Sequence, residues 1–505
     1  MGFFITFFIT FFYSISAVSD TLPDPRSDII PRTKEELIRI SKITLPTTNF
    51  SQAEKFENNS AGETTARILK NTNAFSQNSA NLSFKSELDF KLGNALFRKL
   101  WVSSPSSTLA SDGLGPIFNA RSCQRCHLKD GRGHPPKNGS DSTVSFVIQL
   151  VRPEFNSKWK DEIEGYLGGL PDPTYGNQLQ EFTTAGIRAE GSFEIEHINT
   201  EVYLADGTIV KLQEPIYKVK NLGYGKLHSE TIIAPRIAPQ MIGLGLLEAI
   251  PNADIIKLSD PNDKNRDGIS GRANYVYSRD LNEITLGRFG LKATSATLKD
   301  QSAVAFFNDI GISSSLYPEG YGDCTNQQSL CQNAPNGNTQ VHNDVEISDQ
   351  ALDLTVFYTQ NLAVPKRRNS DDPDVLWGKK IFYKSGCISC HNPKFVTNRL
   401  KEKTAQSFQL IWPYTDMLLH DMGDRLADNA TAGRASGNEW RTPPLWGIGL
   451  TNQVSGHTQF LHDGRARNLL EAILWHGGEA ESSRNKVVEL NKKDRDSLIL
   501  FLESL

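Results

Sequence analysis

Apolar residues recur at helical spacing in three widely separated stretches of the chain. These stretches lie at 87–101, 351–362 and 492–505. Because apolar side chains spaced in this way share one face of a helix, each stretch predicts an amphipathic helix. Two short apolar or alternating runs between turn residues, at 144–151 and 194–204, predict strands instead. The pattern therefore predicts a mainly α frame with a β-containing insertion at about 138–230.

The N-terminus begins with an apolar run rich in Phe and Ile, which small residues follow at the end of 1–17. This pattern predicts a secretory signal peptide, because the run is too short to span a bilayer comfortably. An uncleaved anchor is the alternative. The next segment, 18–85, is rich in Ser, Thr, Asn and Pro, and we expect it to be loosely ordered.

Composition places the chain among ordinary globular proteins. Its 505 residues are 38% hydrophobic and carry a net charge of -4. The length supports several domains with full cores. The nearly balanced charge predicts neither a nucleic-acid partner nor binding to a membrane surface, and we expect no membrane span once the signal peptide is removed.

The sequence Cys-x-x-Cys-His occurs twice. The residues are Cys123, Cys126 and His127 in the first copy and Cys387, Cys390 and His391 in the second. In a c-type haem site both thiols attach to the haem and the adjacent His ligates the iron. A thioredoxin-like motif would follow a strand in a βαβ unit, and a zinc site would need its other ligands nearby. Neither context is present, so the motifs predict two covalently bound haem c groups with iron held by each His.

The motifs and a polar stretch divide the chain into two predicted haem domains. The first covers 86–365 and includes the insertion, and the second covers 366–505. The boundary falls in VPKRRNSDDPD, which is polar, contains two prolines and follows a predicted helix. In the second domain a helix precedes the motif and another closes the chain, as in a compact cytochrome c. The predicted fold is mainly α, with two cytochrome c-like haem domains.

The loop 263–270 resembles the start of an EF-hand calcium site. Its ligand positions one, three, five and seven are Asp263, Asn265, Asp267 and Ile269. Gly268 stands where the sharp turn needs glycine, but position twelve is Asn274 instead of a bidentate Glu. The loop predicts either a calcium site or an Asx-rich turn.

Cys324 and Cys331 are the cysteines that remain after the two motifs. They lie close together in a loop rich in Gly, Asn and Gln. In an exported protein a disulfide is the expected state. A pair of free thiols is the alternative, but it lacks the tight spacing and neighbouring base of a reactive dithiol.

Several segments together resemble a known family. RTPPLWGIGLT followed by FLHDGR is similar to a signature of the bacterial di-haem cytochrome c peroxidases. More closely, CHLKDGRGHPP, RIAPQMIGLGLLEAIP, GRFGLKA, LLHDMGDRLAD and LHDGRARNLLEAILWHGGEAE resemble the bacterial di-haem oxidoreductases related to those peroxidases, also labelled thiol oxidoreductases. The segments occur in the family's order over about 86–505.

For the second haem, the resemblance implies that His476 is the axial ligand opposite His391. Peroxidases usually have Met at this position. Imidazole stabilises ferric iron better than a thioether, so a bis-histidine haem has the lower potential. Met422 is the alternative ligand. The same resemblance places His462 near the haems.

For the first haem, the resemblance implies an open iron at His127 with Gln301 and Asp309 in the pocket. A carboxylate there would take a proton from one peroxide oxygen and deliver it to the other. Asp309 is alternatively a helix N-cap, with Glu190 or Glu248 as the acid.

Two positions depart from the peroxidase pattern. Leu291 stands where peroxidases have a Trp between the haems, which puts fast transfer between the haems in doubt. Ile237 replaces an Asn that binds calcium, so no calcium is implied at that position.

The combined prediction is a periplasmic or secreted bacterial di-haem oxidoreductase. It would reduce hydrogen peroxide or oxidise a partner, and exchange electrons with a small cytochrome c or copper protein. One alternative is a pure electron-transfer protein in which the first iron is closed by His134, His197, His228 or Met241. A thiol-oxidising enzyme is another, and a secreted binding protein that uses the β-rich insertion is a third.

Overall fold

The computed structural model describes residues 24–137, 144–153, 166 and 169–505. The predicted signal peptide lies outside these residues. In the part of the chain that is described, no helix has the length and apolar character needed to cross a membrane. The α-helices are α1 (Lys34–Ile43), α2 (Phe84–Arg98), α3 (Cys123–Cys126), α4 (Leu244–Glu248), α5 (Asn252–Ile256), α6 (Leu298–Ala305), α7 (Ser329–Gln332), α8 (Asp349–Gln360), α9 (Pro373–Lys384), α10 (Thr451–Ser455), α11 (Leu469–Trp475), α12 (Glu481–Val488) and α13 (Lys492–Ser504).

The strands pair in small antiparallel sheets. They are β1 (Ile29–Ile30), β2 (Ile117–Phe118), β3 (Phe146–Arg152), β4 (Leu170–Pro171), β5 (Phe182–Thr183), β6 (Ser192–Tyr203), β7 (Ile209–Lys220), β8 (Ile232–Ile237), β9 (Tyr275–Ser278), β10 (Glu283–Leu286), β11 (Phe395–Val396), β12 (Arg399–Leu400), β13 (Leu410–Ile411), β14 (Leu419–Asp421) and β15 (Glu439–Arg441). The pairs are β1–β12, β2–β5, β6–β7, β9–β10, β11–β13 and β14–β15, and β4–β3–β8 forms a three-stranded sheet.

The prediction of a mainly α fold with two cytochrome c-like domains is wrong. The chain is 30% helical and 18% strand, and the strands form many small sheets. Most of these strands are two to four residues long, which is too short for the alternation that identifies a strand in sequence. Ile29 pairs with Leu400, for example, and only the folded chain brings such distant residues together.

The β-rich insertion connects the two motif-bearing parts of the chain. Its long hairpin, β6–β7, reaches the C-terminal helices with its tip. There the backbone N–H of Ala205 donates to the Val488 carbonyl at 3.0 Å, and Arg495 donates to Asp206 at 2.6 Å. Leu212 is fully buried in the C-terminal hydrophobic cluster. The hairpin therefore stabilises the arrangement of the two parts.

The hydrophobic core crosses the predicted domain boundary. One cluster contains Phe75 from the N-terminal segment and Trp446 from the C-terminal part, and both side chains are almost fully buried. Glu57 is also fully buried and pairs with Lys379 of α9 at 2.8 Å. The described part of the segment 18–85 therefore packs into the fold. Burial of a side chain such as Phe75 contributes about 3–5 kcal/mol to the free energy of unfolding.

Candidate functional site

Each Cys-x-x-Cys-His motif is held by a helix pair that crosses at a glycine. In the first pair, α2 crosses α8 at Gly93. A Cβ added there would clash with a carbonyl oxygen of α8 and lie 2.8 Å from Cβ of Tyr358. In the second pair, α9 crosses α13 at Gly378, where a Cβ would clash with a carbonyl oxygen of α13 and lie 2.9 Å from Cβ of Phe501. The same close approach therefore occurs twice.

A phenylalanine four residues after each glycine packs against the histidine of the motif. The ring centroid of Phe97 lies 6.3 Å from that of His127, and the centroid of Phe382 lies 6.1 Å from that of His391. The spacing Gly-x-x-x-Phe before each motif is visible in the sequence, and it is a repeat that the sequence analysis missed. The two motifs thus have the same local support.

Both motif histidines are oriented by a backbone carbonyl. Nδ1 of His127 donates to the Pro239 carbonyl at 2.7 Å, and Nδ1 of His391 donates to the Tyr414 carbonyl at 2.8 Å. Burial lowers the pKa of each imidazole to about 4, so both rings are neutral at neutral pH. This arrangement leaves Nε2 with a free lone pair, which is the usual state of a metal-binding histidine.

The four motif thiols face the same interior space as these histidines. Burial raises the pKa of Cys123 and of Cys387 to about 12, so both remain protonated. Cys126 donates to the Val144 carbonyl at 2.8 Å. None of the four motif cysteines forms a disulfide.

A single large cavity extends from one motif to the other. Its volume is about 1030 Å³, and its wall includes all six motif residues. Pockets for ordinary small ligands span about 300–1,000 Å³, so this cavity lies at the upper end of that range. It has room for more than one bulky group along its length.

In the second region, His476 lines the cavity together with His391. His476 follows the last residue of α11, and its Nδ1 donates to the Ala472 carbonyl at 2.7 Å. The two imidazoles are close enough for His476 to lower the pKa of His391. His476 therefore shares the geometry of the motif histidines, with Nε2 free. Met422 also lines the cavity, but no comparable contact orients it.

His420, which sequence reasoning missed, is a buried charged group beside the second motif. Its Nε2 lies 2.7 Å from Asp416, its Nδ1 lies 2.6 Å from Glu479, and Nδ1 is also 3.5 Å from Sγ of Cys390. Burial alone would lower the pKa of His420, but the two carboxylates hold it far above its usual range. The Asp four residues before His420 was the available sequence signal.

In the first region, Asp309 and Gln301 face the cavity beside His127. Asp309 lies in a π-helical turn, Phe306–Ile310, which continues α6. Such turns often occur at functional sites. Burial raises the pKa of Asp309 to about 6, although Gln178 Nε2 donates to its Oδ1 at 2.8 Å. Gln301 lies on α6 and lines the same cavity.

The alternative acids lie elsewhere. Glu248 pairs with Lys403 at 2.8 Å, and Glu190 accepts hydrogen bonds from the Gln180 backbone and from Gln328. Neither contributes to the cavity wall that the described residues form. Asp309 is also not a helix N-cap, because it lies inside the π-helical turn.

Four residues are predicted alternatives that would close the first iron in a pure electron-transfer protein, and one of them lines the cavity. Met241 contributes to the wall and packs in the same apolar cluster as Cys123. His134, by contrast, stacks edge-on against His457, with centroids 5.1 Å apart. Neither it nor His197 nor His228 belongs to the described wall.

His462 and Trp440 form a stacked pair in the cavity wall. Their ring centroids are 4.0 Å apart and their planes differ by 14°. Nε2 of His462 is buried and has no hydrogen-bond partner among the described residues. Leu291 and Ile237, the two departures from the peroxidase pattern, line the same cavity. The cavity wall thus contains a tryptophan, Trp440 of strand β15, at a position that the sequence did not indicate.

The loop 263–270 uses its side-chain oxygens to bind its own backbone. Asp263 accepts from the backbone N–H of Asp267 at 3.0 Å, and Asp267 accepts from that of Ile269 at 2.9 Å. Asn265 also accepts from the N–H of Asp267. In the described chain no group of three or more His, Cys, Asp or Glu side chains is arranged to hold a metal ion. The geometry corresponds to the Asx-rich turn.

Cys324 and Cys331 form a disulfide in the structure. Next to it, the Asp323 carboxylate is buried and lines the cavity near Asp309. Sequence reasoning missed Asp323 and Gln178, because their contacts join the insertion to a distant loop and leave no local pattern.

Two partly buried arginines in the cavity wall form no ion pair with any acidic side chain of the described residues. Arg132 and Arg441 bind backbone carbonyls, for example that of Gln459 at 3.1 Å and that of Thr442 at 3.0 Å. Among the described residues neither forms an ion pair within 4.0 Å, and burial lowers the pKa of each to about 10. They are cations that can accept acidic groups of a molecule in the cavity.

The two paired-thiol motifs with oriented histidines, set on one cavity, define a class of protein with two sites suited to haem. Over residues 55–505 the chain matches the family described as "Di-haem oxidoreductase, putative peroxidase". The chain therefore belongs to this di-haem oxidoreductase family, for which haem is the cofactor. The family predicted from the sequence motifs is confirmed.

Comparison with solved structures gives a weaker likeness. Hydrazine synthase from Kuenenia stuttgartiensis, in a crystal pressurised with 20 bar xenon, is 18% identical and aligns with a TM-score of 0.22. The alignment covers 32% of this chain and 57% of that chain, so little more than half of the neighbour's length is spanned. No curated protein matches the chain.

Proposed function

We propose that this di-haem oxidoreductase is exported, carries both haems covalently and reduces hydrogen peroxide with electrons from a small cytochrome c or copper protein. The observation that carries the proposal is the pattern of three cavity histidines. His127, His391 and His476 each donate Nδ1 to a backbone carbonyl and keep Nε2 free. His391 and His476 are close enough to affect one another, whereas His127 lines the cavity together with the Asp309 carboxyl.

The residues in the cavity fit haem. The protonated thiols of each motif would attach the group, and His127 and His391 would ligate the two irons. Arg132 and Arg441, partly buried in the cavity wall and without an ion pair among the described residues, would neutralise the haem carboxylates. When bound, haem supplies the one-electron chemistry at the oxygen–oxygen bond.

The chain's own contribution to peroxide reduction is proton transfer at Asp309. Its carboxylate accepts the proton of one peroxide oxygen and donates it to the other, which then leaves as water. Gln178 holds Oδ1 of Asp309 at 2.8 Å and fixes the direction of the carboxyl. Gln301 faces the same space and can orient the substrate by a hydrogen bond.

The second site is proposed to store and pass on electrons. His476 and His391 would together hold the second haem iron, and two imidazole ligands would favour its ferric state over substrate binding. Export agrees with the disulfide between Cys324 and Cys331, since such bonds persist in oxidising compartments.

One observation favours a second candidate, a pure electron-transfer protein. Met241 lines the cavity beside the first motif and could close the first iron. In that case no substrate would reach either iron.

Electron paramagnetic resonance of the ferric holoprotein separates these functions. We expect one low-spin signal from the second site and one high-spin signal from the first, and we expect peroxide to change only the high-spin signal. Two low-spin signals that peroxide leaves unchanged, before and after one-electron reduction, would favour electron transfer alone.

A further inference from the structure

We propose that Asp323 is a second acid of the first site, which supplies protons to Asp309 through the cavity while peroxide is reduced. This role deepens the proposed function and rests on it. Both carboxyls line the same cavity, and one residue contacts both: Gln178 donates from Nε2 to Asp309 at 2.8 Å and from its backbone N–H to Asp323 at 3.1 Å.

The surroundings of Asp323 hold a carboxyl in place without neutralising it. The backbone N–H and Nδ2 of Asn177 donate to its two oxygens at 2.7 and 2.8 Å. Gly176 has φ +72°, and a Cβ there would lie 2.6 Å from the carboxyl group, so glycine leaves the space that Asp323 occupies. The disulfide at Cys324 fixes the same loop.

The stoichiometry of the reaction requires a proton supply besides Asp309. Hydrogen peroxide, two protons and two electrons give two water molecules. Asp309 returns the proton that it takes from peroxide, so the first water leaves with the substrate's own protons. The second water needs two further protons, together with the two electrons from the redox partner. A second carboxyl on the same cavity can deliver them one after the other and be reprotonated from solvent.

The charge environment agrees with this division of roles. Burial, with a smaller contribution from the nearby Asp309 carboxylate, raises the pKa of Asp323 to about 7 against the hydrogen bonds of Asn177 and Gln178. Asp309, with a pKa of about 6, is the more readily ionised of the two. Burial, with a smaller contribution from Asp323, also raises the pKa of Glu190. At neutral pH, Asp309 is therefore mostly ready to accept a proton, while Asp323 still holds one in about half of the molecules.

The test compares Asp323→Asn with a matched control in the same region. Asp172→Asn removes another buried carboxylate that binds backbone amides, those of Thr174 and Tyr175, but Asp172 does not line the described cavity. Wild-type peroxide turnover is expected to fall as the pH rises through about 7, because Asp323 then loses its proton. D323N should lower turnover by about 10²-fold and abolish this alkaline limb. Asp323→Glu should restore the fall in turnover at alkaline pH, and D172N should keep it.

Infrared difference spectra of the resting holoprotein provide a readout that does not depend on turnover. Between acid and alkaline pH, D323N should lose one protonated-carboxyl band fewer than the wild type, whereas D172N should lose as many bands as the wild type. If D323N kept the wild-type carboxyl signal and the alkaline fall in turnover, Asp323 would not be a proton donor. Its role would then be only to support the turn at Asn177. Absence of peroxide turnover in the wild type would instead overturn the proposed function, and the supply role with it.

Discussion

The two motif regions have the same supporting glycine and phenylalanine. They differ in the side chains that line the rest of the cavity around each motif. Gly93 with Phe97 and Gly378 with Phe382 hold the two motif histidines in the same way. Across the cavity, the first region presents carboxyls and amides, whereas the second presents an oriented imidazole, His476. The local support can therefore be repeated without change, and under the proposed function the side chains opposite it would decide whether a site takes substrate or stores electrons.

The charged groups around the two motifs differ as well. In the first region, Asp309 and Asp323 are buried acids whose pKa values burial raises toward neutrality, so they can exchange protons at working pH. In the second region, Asp416 and Glu479 enclose His420, and that histidine stays protonated. One region is arranged to move protons and the other to keep its charges fixed.

Replacing His476 removes the feature that distinguishes the second region most. We expect His476→Ala to convert the low-spin resonance of that site to high-spin, because Ala offers no ligand, and His476→Met to raise its reduction potential. His228→Ala, which changes a histidine outside the described cavity wall, should alter neither. If H476A kept the low-spin signal, Met422 would be the ligand, and Met422→Ala should then remove it.

Replacing Asp309 is expected to remove the proton chemistry of the first region. Asp309→Asn should lower peroxide turnover by about 10²–10⁴-fold, the usual contribution of a positioned acid–base group. Only the ionised carboxyl can accept a proton, so wild-type activity should fall as the pH drops through about 6, and D309N should lack this acid limb. Steady-state rates across this range test the assignment. An acid limb that persists in D309N would point to another base.

Removing the charge of His420 tests whether the second region depends on fixed charges. His420→Gln leaves Asp416 and Glu479 buried without a cation, which should cost about 3–5 kcal/mol of unfolding free energy. The uncompensated carboxylates would then bind protons more tightly in the folded state than in the unfolded state. The loss should therefore grow as the pH rises from about 4 to about 6.5, and stop growing above that, because the wild type then also loses stability as unfolded His420 releases its proton. Urea unfolding at several pH values measures it, and the double variant with Asp416→Asn should recover part of the loss.

The shared support predicts equal sensitivity of the two regions. Gly93→Ala and Gly378→Ala each force a Cβ against the backbone of the partner helix, and each should cost about 1–3 kcal/mol of unfolding free energy. Lys91→Ala, at an exposed position of the same helix α2, serves as the control and should change stability little. Urea unfolding of the holoprotein compares them. A clear difference between the two glycine variants would show that the supports are not equivalent.

The features that the sequence revealed are those with a local chemical pattern. The motif residues could be predicted because haem attachment sets their spacing, and His476 and Asp309 because family motifs surround them. Gln178 and Asp323 meet only through the fold, and strands such as β1 and β12 are too short to show any alternation. The error in fold class has the same origin, since helices leave a periodic pattern and two-residue strands do not.

The smallest effect is expected at Trp440, the aromatic ring between the two regions. Lys292 Nζ and the Arg236 guanidinium lie 4.3 and 4.8 Å from the ring centroid, and both cations oppose a positive charge on the ring. We therefore expect Trp440 to be a poor relay, so that electrons pass between the haems by tunnelling. Trp440→Phe should cost about 1 kcal/mol of stability through the lost hydrogen bond to Leu426, and should change the rate of electron transfer between the haems by less than about tenfold. Stopped-flow reduction of the holoprotein measures that rate, and a larger drop would assign Trp440 the role that Leu291 cannot fill.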